Sequence, residues 1–126
     1  MKKYVTILLS SISLLSFVSF NGIEEVISAF NSGDASHLSK YLDNTVDITT
    51  SGKRNSFSKM QAEQVLRDFF SNNPVKAFQV IHQGDNEGSQ YCIGKLITKT
   101  RSFRTTLFMK QRGDKQFLQE IRIEEE

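Results

Sequence analysis

The chain has 126 residues, room for one domain and no more. Its apolar content is ordinary for a globular protein, and no fixed-period repeat or low-complexity tract interrupts it. Basic residues number 16 and acidic ones 14; without Lys2 and Lys3 the balance is 14 to 14, so the composition gives no basis for global attraction to nucleic acid.

Lys2 and Lys3 precede an uncharged apolar and hydroxyl run from Val5 to Phe20. Length, position and flanks match a secretory signal peptide over residues 1–19, with one domain over 20–126. Cleavage is expected within residues 16–20, after Ser16 or Ser19, although Phe17, Val18 and Phe20 crowd the site. An uncleaved N-terminal anchor is the alternative. No cysteine follows the run, which excludes a bacterial lipoprotein anchor. The sequence thus predicts an exported protein, periplasmic or secreted, with no stable membrane span after cleavage. Cys92 is the only cysteine, so the fold must rest on its core without an internal disulfide. It is expected as a half-buried strand thiol acting as a small hydrophobe.

In chain order, Asn21 and Glu24 stand in capping-box spacing, and Ile23, Val26, Ile27 and Phe30 form one apolar stripe. Gly33 stops this helix. Asp34 or Ser36 caps a short second helix, with Ala35, Leu38, Tyr41 and Leu42 facing the core. Val46 and Ile48 alternate with Asp47 and Thr49 in a short strand. The segment Thr50 to Ser56 reads as a polar loop with Lys53 and Arg54 at its tip. Ser58 and Gln61 repeat the capping-box signal. Ala62, Val65, Leu66, Phe69 and Phe70 mark the strongest amphipathic helix, which ends at Asn72, Asn73 and Pro74.

Four strands follow: Ala77 to Gln83, Gln90 to Lys99, Phe103 to Gln111 and Gln116 to Glu124. Short connections imply an antiparallel meander. Three N-terminal helices packed on such a sheet define an α+β domain. Alternation places Phe103, Thr105, Leu107 and Met109 toward the helices. Cys92 and Leu96 point one way on their strand, and Tyr91, Ile93 and Ile97 the other. Phe108 points outward, and on the last strand Leu118 is expected opposite Phe117, Ile121 and Ile123.

The element order, with its Asn-Ser-Gly-Asp-Ala turn, resembles the nuclear transport factor 2-like, or cystatin-like, half-barrel from Gly22 to Glu124. That resemblance implies a curved antiparallel sheet around the long helix and a cone-shaped pocket at one end. It also implies a homodimer through the outer sheet face, with Ile93, Ile97, Phe108 and Leu118 as interface candidates. A more specific string comprises Phe69-Phe70, Asn73-Pro74, Phe78, His82-Gln83-Gly84, Tyr91, Ile93-Gly94, Leu96, Thr98, Phe103-Arg104 and Ile121-Arg122-Ile123-Glu124. It resembles a small family of exported bacterial proteins known only as a domain of unknown function. The turn at Arg101-Ser102 departs from the expected pattern by lacking a glycine. Neither resemblance supplies an activity.

Five residues are candidates for the pocket. If Phe78 and Val80 face the core, alternation puts His82 there too, as a speculative general base or as a residue bonded to the following turn. Arg104 could hold a carboxylate or phosphate, or pair across strands with Glu120 or Glu124. Tyr41 and Tyr91 could place phenols in the cone beside Phe69, but a supporting acid is missing, since Asp47 alternates toward solvent. No spacing makes a metal site, no glycine-rich loop cradles a phosphate, and no cofactor is implied. From Lys95 to Lys115 seven basic residues stand against one acidic residue, Asp114. That stretch could meet an anionic surface, or keep the strands soluble. The residues lead to an exported non-enzymatic binding domain for a small molecule or envelope protein. A half-barrel isomerase or lyase using His82 is the alternative.

Overall fold

The computed structural model describes residues 22–126. The expected signal peptide and the Asn21 cap lie outside the described residues. Helix α1 (Gly22–Ser32) buries Ile23, Val26, Ala29 and Phe30 along one stripe. Gly33, at φ 66°, ends it in the left-handed region that glycine enters without steric cost. Asp34 then caps α2 (Ala35–Ser39), its carboxylate accepting from the His37 N–H at 3.0 Å. In α3 (Lys59–Asn72), Ser58 and Gln61 form a complete capping box, and Ala62, Leu66 and Phe70 turn inward.

Six strands form one open, curved sheet in the order β2-β1-β6-β5-β4-β3. They are β1 (Leu42–Thr50), β2 (Lys53–Ser58), β3 (Val75–Asn86), β4 (Ser89–Thr98), β5 (Ser102–Arg112) and β6 (Lys115–Glu125). β3 to β6 are the expected antiparallel meander. β1 departs from it, pairing parallel with β6 after the chain has crossed the helical layer.

The expected loop from Thr50 to Ser56 is instead a hairpin. Ser51 and Gly52 both take positive φ, the geometry of a two-residue turn matched to strand twist. Lys53 and Arg54 therefore lie within β2 and pair with Thr50 and Thr49. β2 escapes the alternation signal because it is a polar edge strand with little apolar surface to bury.

The inner face carries the core. Cys92 and Leu96, Phe103, Leu107 and Met109, and Leu118, Ile121 and Ile123 pack beneath Val26, Phe30, Leu38 and Leu66. Each fully buried side chain of this size contributes about 1.5–3 kcal/mol before entropy is counted. Cys92 is wholly rather than half buried, and burial, with a smaller push from Glu24, raises its thiol pKa to about 11. It stays protonated and acts as core.

Two β-bulges change which side chains share a face. On β3, Val80 pairs with Gly94 and His82 with Ile93, so Ile81 is an extra residue. Strict alternation would have put His82 with Phe78 on the inner face; the bulge turns it to the outer face with Ile93. On β6, Met109 pairs with Leu118 and Phe108 with Glu120, leaving Gln119 as the extra residue. Leu118 is consequently fully buried, and Phe117 faces outward under the Arg112 guanidinium, 4.5 Å from its ring. Leu118 therefore belongs to the core and not to the outer face.

Candidate functional site

The outer face is ordered by its cross-strand pairs. Tyr91 stands opposite Phe108 and Gly84, and His82 opposite Ile93, which in turn faces Thr106. The next row is charged, with Lys95 opposite Arg104 and Arg104 opposite Glu124. Ile97 lies beyond that row, opposite Ala77 and Ser102. Tyr91, Ile93 and Phe108 thus form one half-buried apolar cluster, and Ile97 stands apart from it. Ile81, pushed out by the bulge, is 61% exposed on the β3 edge beside the cluster.

His82 Nε2 lies 2.7 Å from the Tyr91 hydroxyl. The phenol donates in the Nδ1–H tautomer, and Nε2–H donates to the phenol in the other. Tyr91 reaches back because Gly84 has no side chain: a Cβ there would stand 2.0 Å from the Tyr91 ring. His82 and Arg104 share the outer face with all of β4 between them and a two-residue offset along it, a separation of about 12 Å at ordinary strand spacing. Neither of them lines the clefts described below.

On the helix side a cleft of about 470 Å³ opens between α3 and the ends of β1, β5 and β6. Val65, Phe69, Phe103 and Ile123 supply its apolar wall, with Phe69 and Phe103 edge-to-face at 5.2 Å between ring centroids. Thr50, Ser51, Asn73, Arg101 and Glu125 supply its polar rim. Arg101 sits in the turn that lacks a glycine. The Thr98 hydroxyl holds that turn, donating to the Arg101 carbonyl at 2.7 Å and accepting from its N–H at 3.2 Å. A side-chain clamp replaces the conformational freedom a glycine would have supplied.

The five pocket candidates do not converge. Phe69 lines the cleft just described; Tyr41 lines another, of about 330 Å³, with Phe117, Lys40 and Lys115. Burial first, then Glu25, raises the Tyr41 pKa. Tyr91 borders a shallow hollow of about 280 Å³ near the start of α1. Arg101 and Asn73 carry no signal as cleft residues in the sequence, because the cleft exists only when the β4–β5 turn meets the end of α3.

Among the described residues, three of the seven basic residues in that stretch pair with acids remote in sequence. Lys95 lies 3.7 Å from Glu126, and Arg101 lies 3.3 Å from Glu125. Arg112 pairs with Asp43, a buried carboxylate that also accepts from the Gln119 amide at 3.0 Å and from the Asn44 N–H. Burial alone would raise the Asp43 pKa, but the bonds from Gln119, Asn44 and Arg112 outweigh it and hold the carboxyl low. Asp47 is held low by Ser56 and Arg54, which explains a carboxylate between two core residues without invoking catalysis. Among the described residues no cluster of three metal-ligating side chains is found, and no helix is long and apolar enough to cross a membrane.

This helix-covered, six-stranded architecture is that of the nuclear transport factor 2-like class. A protein of that class and of unknown function from Cytophaga hutchinsonii superposes with a TM-score of 0.62 at 8% identity, covering 86% of this chain and 89% of its own. Within the class, the model for the domain of unknown function DUF4783 matches residues 23–124, and the chain belongs to that family. A family member from Bacteroides uniformis is 37% identical, covering 82% of this chain and 95% of its own, with a TM-score of 0.79. Another, from Bacteroides ovatus, is 33% identical over 81% of this chain and 93% of its own, also at 0.79. No curated protein matches the chain.

Proposed function

We propose that this protein is an exported, non-enzymatic binding domain that pairs with a second copy through the outer face of its sheet. The observation that carries the pairing is the uncovered cluster of Tyr91, Ile93 and Phe108, extended by the exposed Ile81 at the β3 edge. An apolar cluster on a face that no described helix covers is stabilised when a like surface removes it from water. The flanking charges favour the same contact. Lys95 and Arg104 lie on β4 and β5, while Glu120 and Glu124 lie on β6, so two copies related by a twofold axis can set base against acid. Leu118 has no part in this surface, and Ile97 belongs to its margin.

Light scattering at micromolar concentration is expected to give twice the protomer mass, and Ile93→Glu to give the protomer mass with an unchanged thermal transition. A monomeric parent protein would overturn the pairing. Export draws on the N-terminal run alone; the intact mass of protein recovered from the native host should correspond to a chain starting within residues 17–21.

The isomerase or lyase reading draws less support. His82 bonds Tyr91 on an open surface and shares no described cavity with Arg104. A general base needs a substrate held within hydrogen-bond reach, and the hollow beside Tyr91 is not lined by His82 or Arg104.

A further inference from the structure

We propose that the cleft between α3 and the β4–β5 turn binds a small amphiphile, its apolar body against Phe69 and Phe103 and its carboxylate on Arg101. The proposal concerns the helix side of the sheet and does not rest on pairing through the outer face.

The cleft's volume, about 470 Å³, lies within the range of small-molecule sites, roughly 300–1,000 Å³. Its wall is apolar and aromatic. Phe69 is only half-buried, so part of its ring remains available to a guest while the core holds the rest.

The head group is chosen by the rim. The Arg101 backbone is fixed by the Thr98 clamp, so its guanidinium starts from a constrained root. Among the described residues its side chain makes one hydrogen bond, to Glu125 at 3.3 Å, although a guanidinium carries five N–H donors. The remaining donors suit a planar carboxylate, which they can hold with two parallel bonds. Glu125 is the acid of the rim that competes for Arg101, while Glu124 lies near Arg122 and Glu126 near Lys95. The remaining rim groups are uncharged. Asn73 commits its amide N–H to the Phe69 carbonyl at 3.0 Å, leaving its oxygen, and Thr50 and Ser51 offer hydroxyls.

The test uses two probes, dodecanoate by calorimetry and 8-anilinonaphthalene-1-sulfonate by fluorescence, on protein whose thermal transition is checked for each variant. Both are expected to bind. Arg101→Gln should weaken dodecanoate by about tenfold, the loss of a charge-assisted contact. Glu125→Gln removes the competing carboxylate and should leave affinity equal or higher. Val65→Trp fills the cleft and should abolish binding of both probes. Dodecyltrimethylammonium, with the same chain and the opposite charge, should bind at least about tenfold more weakly than dodecanoate, on the same contact. Absence of binding by the parent protein overturns the proposal. So does affinity unchanged in Arg101→Gln or Val65→Trp, or equal binding of the cationic chain. Ile93→Glu, which opens the proposed dimer, should leave probe binding unchanged, so the two readings can fail separately.

Discussion

Gly94 on the inner face and Gly84 on the outer face each lie beneath an aromatic ring from the neighbouring strand. A Cβ at Gly94 would stand 2.2 Å from the Phe78 ring, and one at Gly84 would stand 2.0 Å from the Tyr91 ring. The collisions are alike, but the surroundings are not. Phe78 is buried and packs against Phe30 at 5.6 Å between centroids, so it has nowhere to go. Tyr91 is half-exposed and held across Gly84 by its bond to His82, so it can swing toward water. The inner face is built by close packing, the outer face by polar contacts over an apolar cluster, and only the second has freedom to accept a partner.

Three substitutions probe that contrast. The largest effect is expected at Gly94→Ala, which overpacks an immobile site and should cost about 2–3 kcal/mol in denaturant unfolding. A cost below that of Gly84→Ala would break the comparison.

Asp43→Asn comes next, because Asp43 is buried although its partner Arg112 rises from the outer face. The loss should be about 1–2 kcal/mol at neutral pH. The native Asp43 pKa is depressed, so its contribution is present above the usual carboxylate range and is lost as pH falls through the native value. The parent protein's melting temperature should therefore drop below about pH 4, and the Asp43→Asn variant should show a shallower acid limb.

Gly84→Ala should have the smallest effect on stability, about 1 kcal/mol or less, the contribution of the His82–Tyr91 hydrogen bond. Its diagnostic readout is the Tyr91 ring, whose NMR contacts to His82 should disappear while those of Phe78 persist.

Much of the fold is legible from residue pattern. The stripe in α3, the Ser58–Gln61 box and the Pro74 stop define that helix, because capping and periodicity act within a few residues. The inward set on β4 and β5 is equally plain, since each strand alternates without interruption from Cys92 to Leu96 and from Phe103 to Met109. β2 is hidden because polar edge strands bury too little to alternate. His82 and Leu118 stand on the faces opposite to those alternation predicts, for one shared reason: a single extra residue, Ile81 or Gln119, inverts the phase of everything beyond it.

Residue pattern alone dictates the three helices, the meander of the last four strands and the buried face of the central strands. These follow from local periodicity, caps and turns, whose energetics are short-ranged. The assembled fold adds that β1 lies parallel to β6, that two bulges reverse the faces of His82 and Leu118, and that Arg101, Phe69 and Glu125 meet at one cleft. Each depends on strands and turns far apart in the chain finding a common register, and no local pattern encodes where that register slips.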